Sequence, residues 1–121
     1  MSAILVVDDD TSVLDVMSEM LRLEGHVVTV AENGQQAVDC VEAKPFDLVI
    51  TDLIMPEKEG LETIADIRRM FAEIPIIAIS GGGRVGPTDY LETARFIGAN
   101  ATLAKPFARQ ELIQTVDSLL V

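Results

Sequence analysis

Cysteine is nearly absent from this sequence: Cys40 stands alone. It has no intrachain partner, so no internal disulfide supports the fold, and a reducing cytoplasm is the expected location. Basic residues are scarce as well. Nine Lys and Arg face 20 Asp and Glu, and the formal net charge is −11. That balance repels nucleic-acid phosphates and anionic lipid headgroups, so direct nucleic-acid binding and adhesion to an acidic membrane are disfavoured. Long hydrophobic runs are missing too. No stretch approaches the roughly 20 apolar residues that span a bilayer. No basic residue precedes the first apolar stretch, which argues against a secretory signal. No repeat, linker or low-complexity tract interrupts the chain.

What is present suits one globular unit. The chain has 121 residues, 49% of them hydrophobic and 24% charged. Residues 1–121 are therefore read as a single domain, large enough to bury about two-thirds of its unfolded surface.

Short apolar runs alternate with amphipathic stretches five times. The runs fall at residues 3–7, 27–31, 48–50, 76–79 and 101–104. Between them, residues 11–24, 34–43, 59–71 and 88–97 read as helices, and residues 108–120 as a last one. In the first helix Val13, Met17, Met20 and Leu21 recur at helical spacing. Met17 and Met20 read as core filler, Cys40 as packed or half-buried, and His26 as a turn residue behind the stop at Gly25. Strict strand–helix alternation implies a (βα)5 doubly wound parallel sheet of the α/β class. Strands one, three and four are wholly apolar, as for central strands covered on both faces. Thr29 and Thr102 mark strands two and five as edges, which fits the flavodoxin-like order 2-1-3-4-5.

Ligands of such sheets bind beyond the carboxyl ends of the strands. The residues placed there are Asp8, Asp9 and Asp10 after strand one, Asp52 after strand three, Ser80 after strand four, and Lys105 with Pro106 after strand five. Each alone has an ordinary explanation. The acidic run can cap the next helix, Asp52 can open a turn, Ser80 can be a polar loop residue, and Lys105 can be a solvated charge. Their convergence on one edge points to chemistry. Neighbouring carboxylates repel one another and attract a hard divalent cation such as Mg²⁺. A carboxylate can also act as a nucleophile toward phosphorus. An ammonium and a hydroxyl can stabilise the phosphoryl oxygens, which is most of what phosphoryl transfer needs.

Four segments carry a family resemblance over the whole length: ILVVDDD at 4–10, DLVITDLIMPEKEG at 47–60, PIIAISG at 75–81 and ATLAKPF at 101–107. Together they resemble the receiver domain of two-component response regulators, in particular the stand-alone chemotaxis-type receivers. The resemblance implies a phosphorylation switch rather than an enzyme. Asp52 falls at the phosphoacceptor position, Ser80 at the Ser/Thr switch position and Lys105 at the family's lysine. Asp8, Asp9, Asp52 and the carbonyl of Ile54 fall at the Mg²⁺ ligands, with Asp8 acting partly through water. The Lys105–Pro106 bond matches a cis peptide. Gly81 matches the small residue beside the phosphoryl group, and Gly60 the loop glycine. The implied donor is a histidine on a histidine kinase or histidine phosphotransfer protein, so His26 is not the donor. The implied output is contact with another protein through residues 88–97, 101–104 and 108–120, by a monomer or weak homodimer in the cytoplasm.

The sequence departs from the family pattern at three places. Thr102 stands where receivers carry Tyr or Phe, so an aromatic rotamer switch cannot operate there. Residues 80–105 span a few positions more than usual, with four glycines in the segment 81–87. That segment is expected to be mobile and to become ordered on phosphorylation. Ile54 and Gly82 replace polar side chains that orient water, so self-dephosphorylation is expected to be slow. Three rival readings stand beside the receiver: a phosphatase, a flavin module, and a degenerate receiver used only for interaction, the last disfavoured because all the key groups are present. Asp8-Asp9-Asp10-Thr11-Ser12 is close to the signature of haloacid-dehalogenase-like phosphatases, with Asp8 as nucleophile, but that leaves Asp52 and Lys105 unused. A flavin module would need a phosphate loop after strand one, where aspartates would repel the phosphate.

Overall fold

The computed structural model describes residues 2–53, 60–81, 98–105 and 107–120. Five strands, β1 (Ala3–Val7), β2 (Val27–Ala31), β3 (Leu48–Asp52), β4 (Ile76–Gly81) and β5 (Ala101–Lys105), form one sheet in the order β2-β1-β3-β4-β5. Every pairing is parallel. Four helices accompany them among the described residues: α1 (Thr11–Leu23), α2 (Gly34–Ala43), α3 (Gly60–Met70) and α4 (Arg109–Leu119). This is the doubly wound order expected, with Thr29 and Thr102 on the edge strands. The expected helix at 88–97 lies outside the described residues. No described helix is long and apolar enough to cross a membrane.

Alternation along the central strands builds two apolar layers, because successive strand side chains point to opposite faces. Ile4, Val6, Ile50, Ile77 and Ile79 join Leu14, Met17 and Leu21 of α1 and Leu112 and Val116 of α4. Leu5, Val7, Val49 and Ala78 join Ala37 and Val41 of α2 and Ile64 and Ile67 of α3. Burial on both faces explains why these strands read as unbroken apolar runs. Ile50 is fully buried in the central strand, and truncating such a side chain to alanine costs about 2–5 kcal/mol.

Local chemistry sets the helix ends. The Asp10 carboxylate accepts from the amides of Ser12 and Val13, capping α1, and Asn33 caps α2 through the Gln36 amide. Gly25 ends α1 at φ 91°, a conformation that favours glycine. Arg68 ties α3 to the far end of the sheet. Its guanidinium donates to the carbonyls of Phe71, Ala72, Ile74 and Gly98 and to Asn100 Oδ1, and burial pulls its pKa below the ordinary arginine value.

Three strands run further than the apolar pattern predicts. Residues 48–50, 76–79 and 101–104 become Leu48–Asp52, Ile76–Gly81 and Ala101–Lys105. The ladder is a backbone interaction and continues through polar residues, pairing Asp52 with Ile79 and Gly81 with Lys105. Asp52, Ser80 and Lys105 thus stand in the last rungs of the sheet rather than in loops after it.

Candidate functional site

Asp8, Asp52, Ser80 and Lys105 arrive at one edge from four different strands. Asp8 follows β1 and still bonds β2, its amide donating to the Ala31 carbonyl over 3.1 Å. It is 2% exposed, Asp52 is 7% exposed and Ser80 is 1% exposed. Two buried carboxylates near a sheet edge call for a counter-charge, and Lys105 provides one. Its Nζ donates to Asp8 Oδ2 over 2.9 Å and to Asp52 Oδ2 over 3.3 Å. The other Asp8 oxygen accepts from the Asp10 amide over 2.9 Å.

Electrostatics at Lys105 follow from this bridge. Burial alone would lower its pKa. The hydrogen bond to Asp8 and the charges of Asp52 and Asp8 act the other way and prevail, so the ammonium is held above its ordinary value.

Asp9 completes the cluster from an exposed position. Carboxylate oxygens of Asp8, Asp9 and Asp52 all lie within 4.8 Å of one another. At full ionisation three carboxylates and one ammonium leave two negative charges, which a divalent cation would balance. All-oxygen donors with an open, solvated side suit Mg²⁺, which prefers one or two carboxylates and retained water. The residues present therefore fit such an ion. Asp10 does not join them, because its side chain faces the α1 amides as a cap.

Of the positions expected from sequence, Asp8, Asp9, Asp52 and Lys105 are brought together. Ser80 is buried one rung beyond the Asp52–Ile79 pair. Ile54, Pro106 and residues 82–87 lie outside the described residues, so the carbonyl ligand, the cis bond and the glycine segment beyond Gly81 do as well. Cys40 is half-buried, as expected. Met17 is core, but half-buried Met20 also lines an open groove of about 400 Å³ beside Lys105, together with Ser12, Val13, Val16, Met17 and Phe107. That groove went unread in the sequence because Phe107 lies far from α1 along the chain.

The response regulator receiver domain family matches residues 4–117. The chain belongs to this family. As a receiver domain it is a phosphoacceptor signalling switch of two-component systems. It is 33% identical over 120 residues to the transcriptional regulatory protein CpxR of Escherichia coli (strain K12), covering 99% of this chain and 50% of that protein. It is 28% identical over 120 residues to the response regulator SaeR of Staphylococcus aureus (strain USA300), covering 99% and 51%. The receiver domain of NtrX from Brucella abortus superposes with a TM-score of 0.90 at 28% identity, covering 97% of each chain. The receiver domain thus spans about half the length of the curated relatives it matches. The phosphatase alternative finds no support: the family that matches is a receiver family.

Proposed function

We propose that Asp52 is the residue of this receiver that carries the phosphoryl group. The donor is a phosphohistidine on a histidine kinase or phosphotransfer protein. A carboxylate oxygen of Asp52 bonds to phosphorus as the phosphorus–nitrogen bond breaks, and the imidazole leaves with the electron pair and takes a proton from water. The observation that supports this most is the Lys105 ammonium bridging two buried carboxylates from separate strands. The same ammonium can follow the negative charge onto the phosphoryl oxygens, and the Ser80 hydroxyl can donate to one of them. Asp8, Asp9, Asp52 and the Ile54 carbonyl would hold Mg²⁺, which when bound offsets the repulsion between carboxylates and phosphoryl oxygens.

In this reading the chain catalyses only its own phosphorylation and a slow hydrolysis. With Ile54 and Gly82 at the positions that would orient water, a phosphoryl half-life of seconds would contradict it. The groove of Val13, Val16, Met20 and Phe107 beside Lys105 offers the donor an apolar seat. Thr102 is half-buried on edge strand β5, so the output relies on the segment after β4 and on partner contact with residues 88–97, 101–104 and 108–120. The site works in the cytoplasm, as a monomer or weak homodimer, without direct nucleic-acid contact by these residues. Intact mass after incubation with acetyl phosphate tests the reading. A single adduct that requires Mg²⁺ and is lost in Asp52→Asn is expected; an adduct that survives Asp52→Asn would overturn it.

A further inference from the structure

Thr51 is fully buried next to Asp52, yet neither its position nor its hydroxyl is needed by the site chemistry above. It shares its face of β3 with Val49 and Leu53, which belong to the apolar layer under α2 and α3. Its ladder neighbours are Val7 and Ala78. A hydroxyl set among such groups is unfavourable unless it is hydrogen-bonded, and valine would fill the same volume without that demand. Thr51 Oγ1 does have a partner: it donates to the backbone carbonyl of Asp52 over 3.0 Å.

That carbonyl belongs to the peptide unit joining Asp52 to Leu53. The N–H of the same unit donates to the Ile79 carbonyl over 2.9 Å. Both polar ends of one peptide plane are therefore held, one by Thr51 and one by β4 immediately before Ser80. The next carbonyl, of Leu53, accepts from the Gly60 amide over 3.0 Å. Gly60 also closes the space around the plane: a Cβ there would overlap the Asp52 carbonyl oxygen and lie 2.5 Å from Leu53 Cα. The orientation of this plane fixes ψ of Asp52, and backbone angles restrict which side-chain rotamers are open.

We propose that Thr51 is a positioning residue for phosphoryl transfer, its hydroxyl locking the peptide plane that aims the Asp52 carboxylate. The proposal rests on the reading of Asp52 as the phosphoacceptor. It assigns Thr51 no contact with the phosphoryl group or the ion; Thr51 acts through Asp52. Misplacement of a reacting atom by a fraction of an ångström lowers the rate of the step without weakening the binding of its partners.

The test compares wild type, Thr51→Val, Thr51→Ser and Asp52→Asn by the rate of adduct formation over a range of acetyl phosphate at saturating Mg²⁺. Mg²⁺ affinity and thermal midpoint are measured alongside. Thr51→Val is expected to lose about tenfold in maximal rate, with the half-saturating acetyl phosphate concentration and Mg²⁺ affinity essentially unchanged. Thr51→Ser, which keeps the donor, is expected to recover most of that rate. A wild-type maximal rate in Thr51→Val overturns the proposal, and so does a Thr51→Ser as slow as Thr51→Val, because serine keeps the donor and would then fail to restore the rate. If Thr51→Val does not fold by circular dichroism, Thr51→Ala replaces it under the same criteria. Failure of the underlying reading looks different: wild type forms no adduct, or Asp52→Asn still forms one.

Discussion

Replacing Lys105 with methionine removes the charge that bridges Asp8 and Asp52 while keeping an apolar stem of similar length. Two opposing effects follow, and their sizes can be set from the geometry. In the metal-free protein the variant loses contacts of 2.9 and 3.3 Å to carboxylates that are 2% and 7% exposed. Breaking a fully buried pair costs about 3–5 kcal/mol. The Lys105 side chain is 25% exposed, so water recovers part of that, and a loss of about 1–3 kcal/mol is expected. The effect on Mg²⁺ has the opposite sign. A divalent ion held by the same carboxylates would repel the ammonium beside them, and charges of +2 and +1 a few ångströms apart repel by about 1–2 kcal/mol even in a water-like dielectric. Lysine also occupies carboxylate oxygens that the ion would use. Lys105→Met should therefore bind Mg²⁺ about tenfold more tightly and should accept phosphoryl groups more slowly than wild type. Calorimetric titration of metal-free protein at fixed ionic strength measures this. Mg²⁺ should also raise the thermal midpoint of the variant more than that of the wild type. Equal or weaker Mg²⁺ affinity in the variant would show that lysine and metal do not share the cluster.

Three further outcomes follow from the same structure. Lys105 has a raised pKa in the folded state, so its stabilising contribution is complete below about 10.4, the unfolded value, and is lost as pH rises through the folded value. The stability gap between wild type and Lys105→Met, followed by urea unfolding, should shrink across that alkaline window; a gap that widens would contradict the bridge. Gly60→Ala drives a methyl into the Asp52–Leu53 backbone and should lower stability by about 1–3 kcal/mol, with an unchanged urea midpoint as the contrary result. Asp10→Ala removes the α1 cap and should cost about 1 kcal/mol while phosphoryl acceptance is retained; loss of acceptance would place Asp10 in the site.

The sheet order was legible because Ile4–Val7 and Leu48–Ile50 are unbroken apolar runs, which only doubly covered strands require. The ends of the strands were not legible in the same way. Asp52, Ser80 and Lys105 end the apolar pattern, and only backbone pairing shows that they remain in the ladder. In the acidic run Asp8–Asp10 only the family pattern set Asp8 and Asp9 apart from Asp10. Geometry divides them into a buried partner of Lys105, an exposed member of the cluster and a helix cap. The Lys105–Asp8 contact joins residues 97 positions apart; the strand order puts both at one edge, but no local spacing rule encodes their pairing, and the structure alone shows it. Thr51 and Arg68 drew no attention because a threonine in a strand and an arginine on a helix are ordinary in sequence. Their roles lie in which carbonyls they reach.

Phosphorylation is expected on Asp52 and on no other acid of the cluster. Mapping the acyl phosphate tests it directly. The protein is phosphorylated with acetyl phosphate and Mg²⁺, reduced with borohydride so that an aspartyl phosphate becomes homoserine, and digested for peptide mass spectrometry. Homoserine at position 52, with Asp8, Asp9 and Asp10 intact, is the predicted result. Homoserine at position 8 or 9, with Asp52 unchanged, would contradict the account.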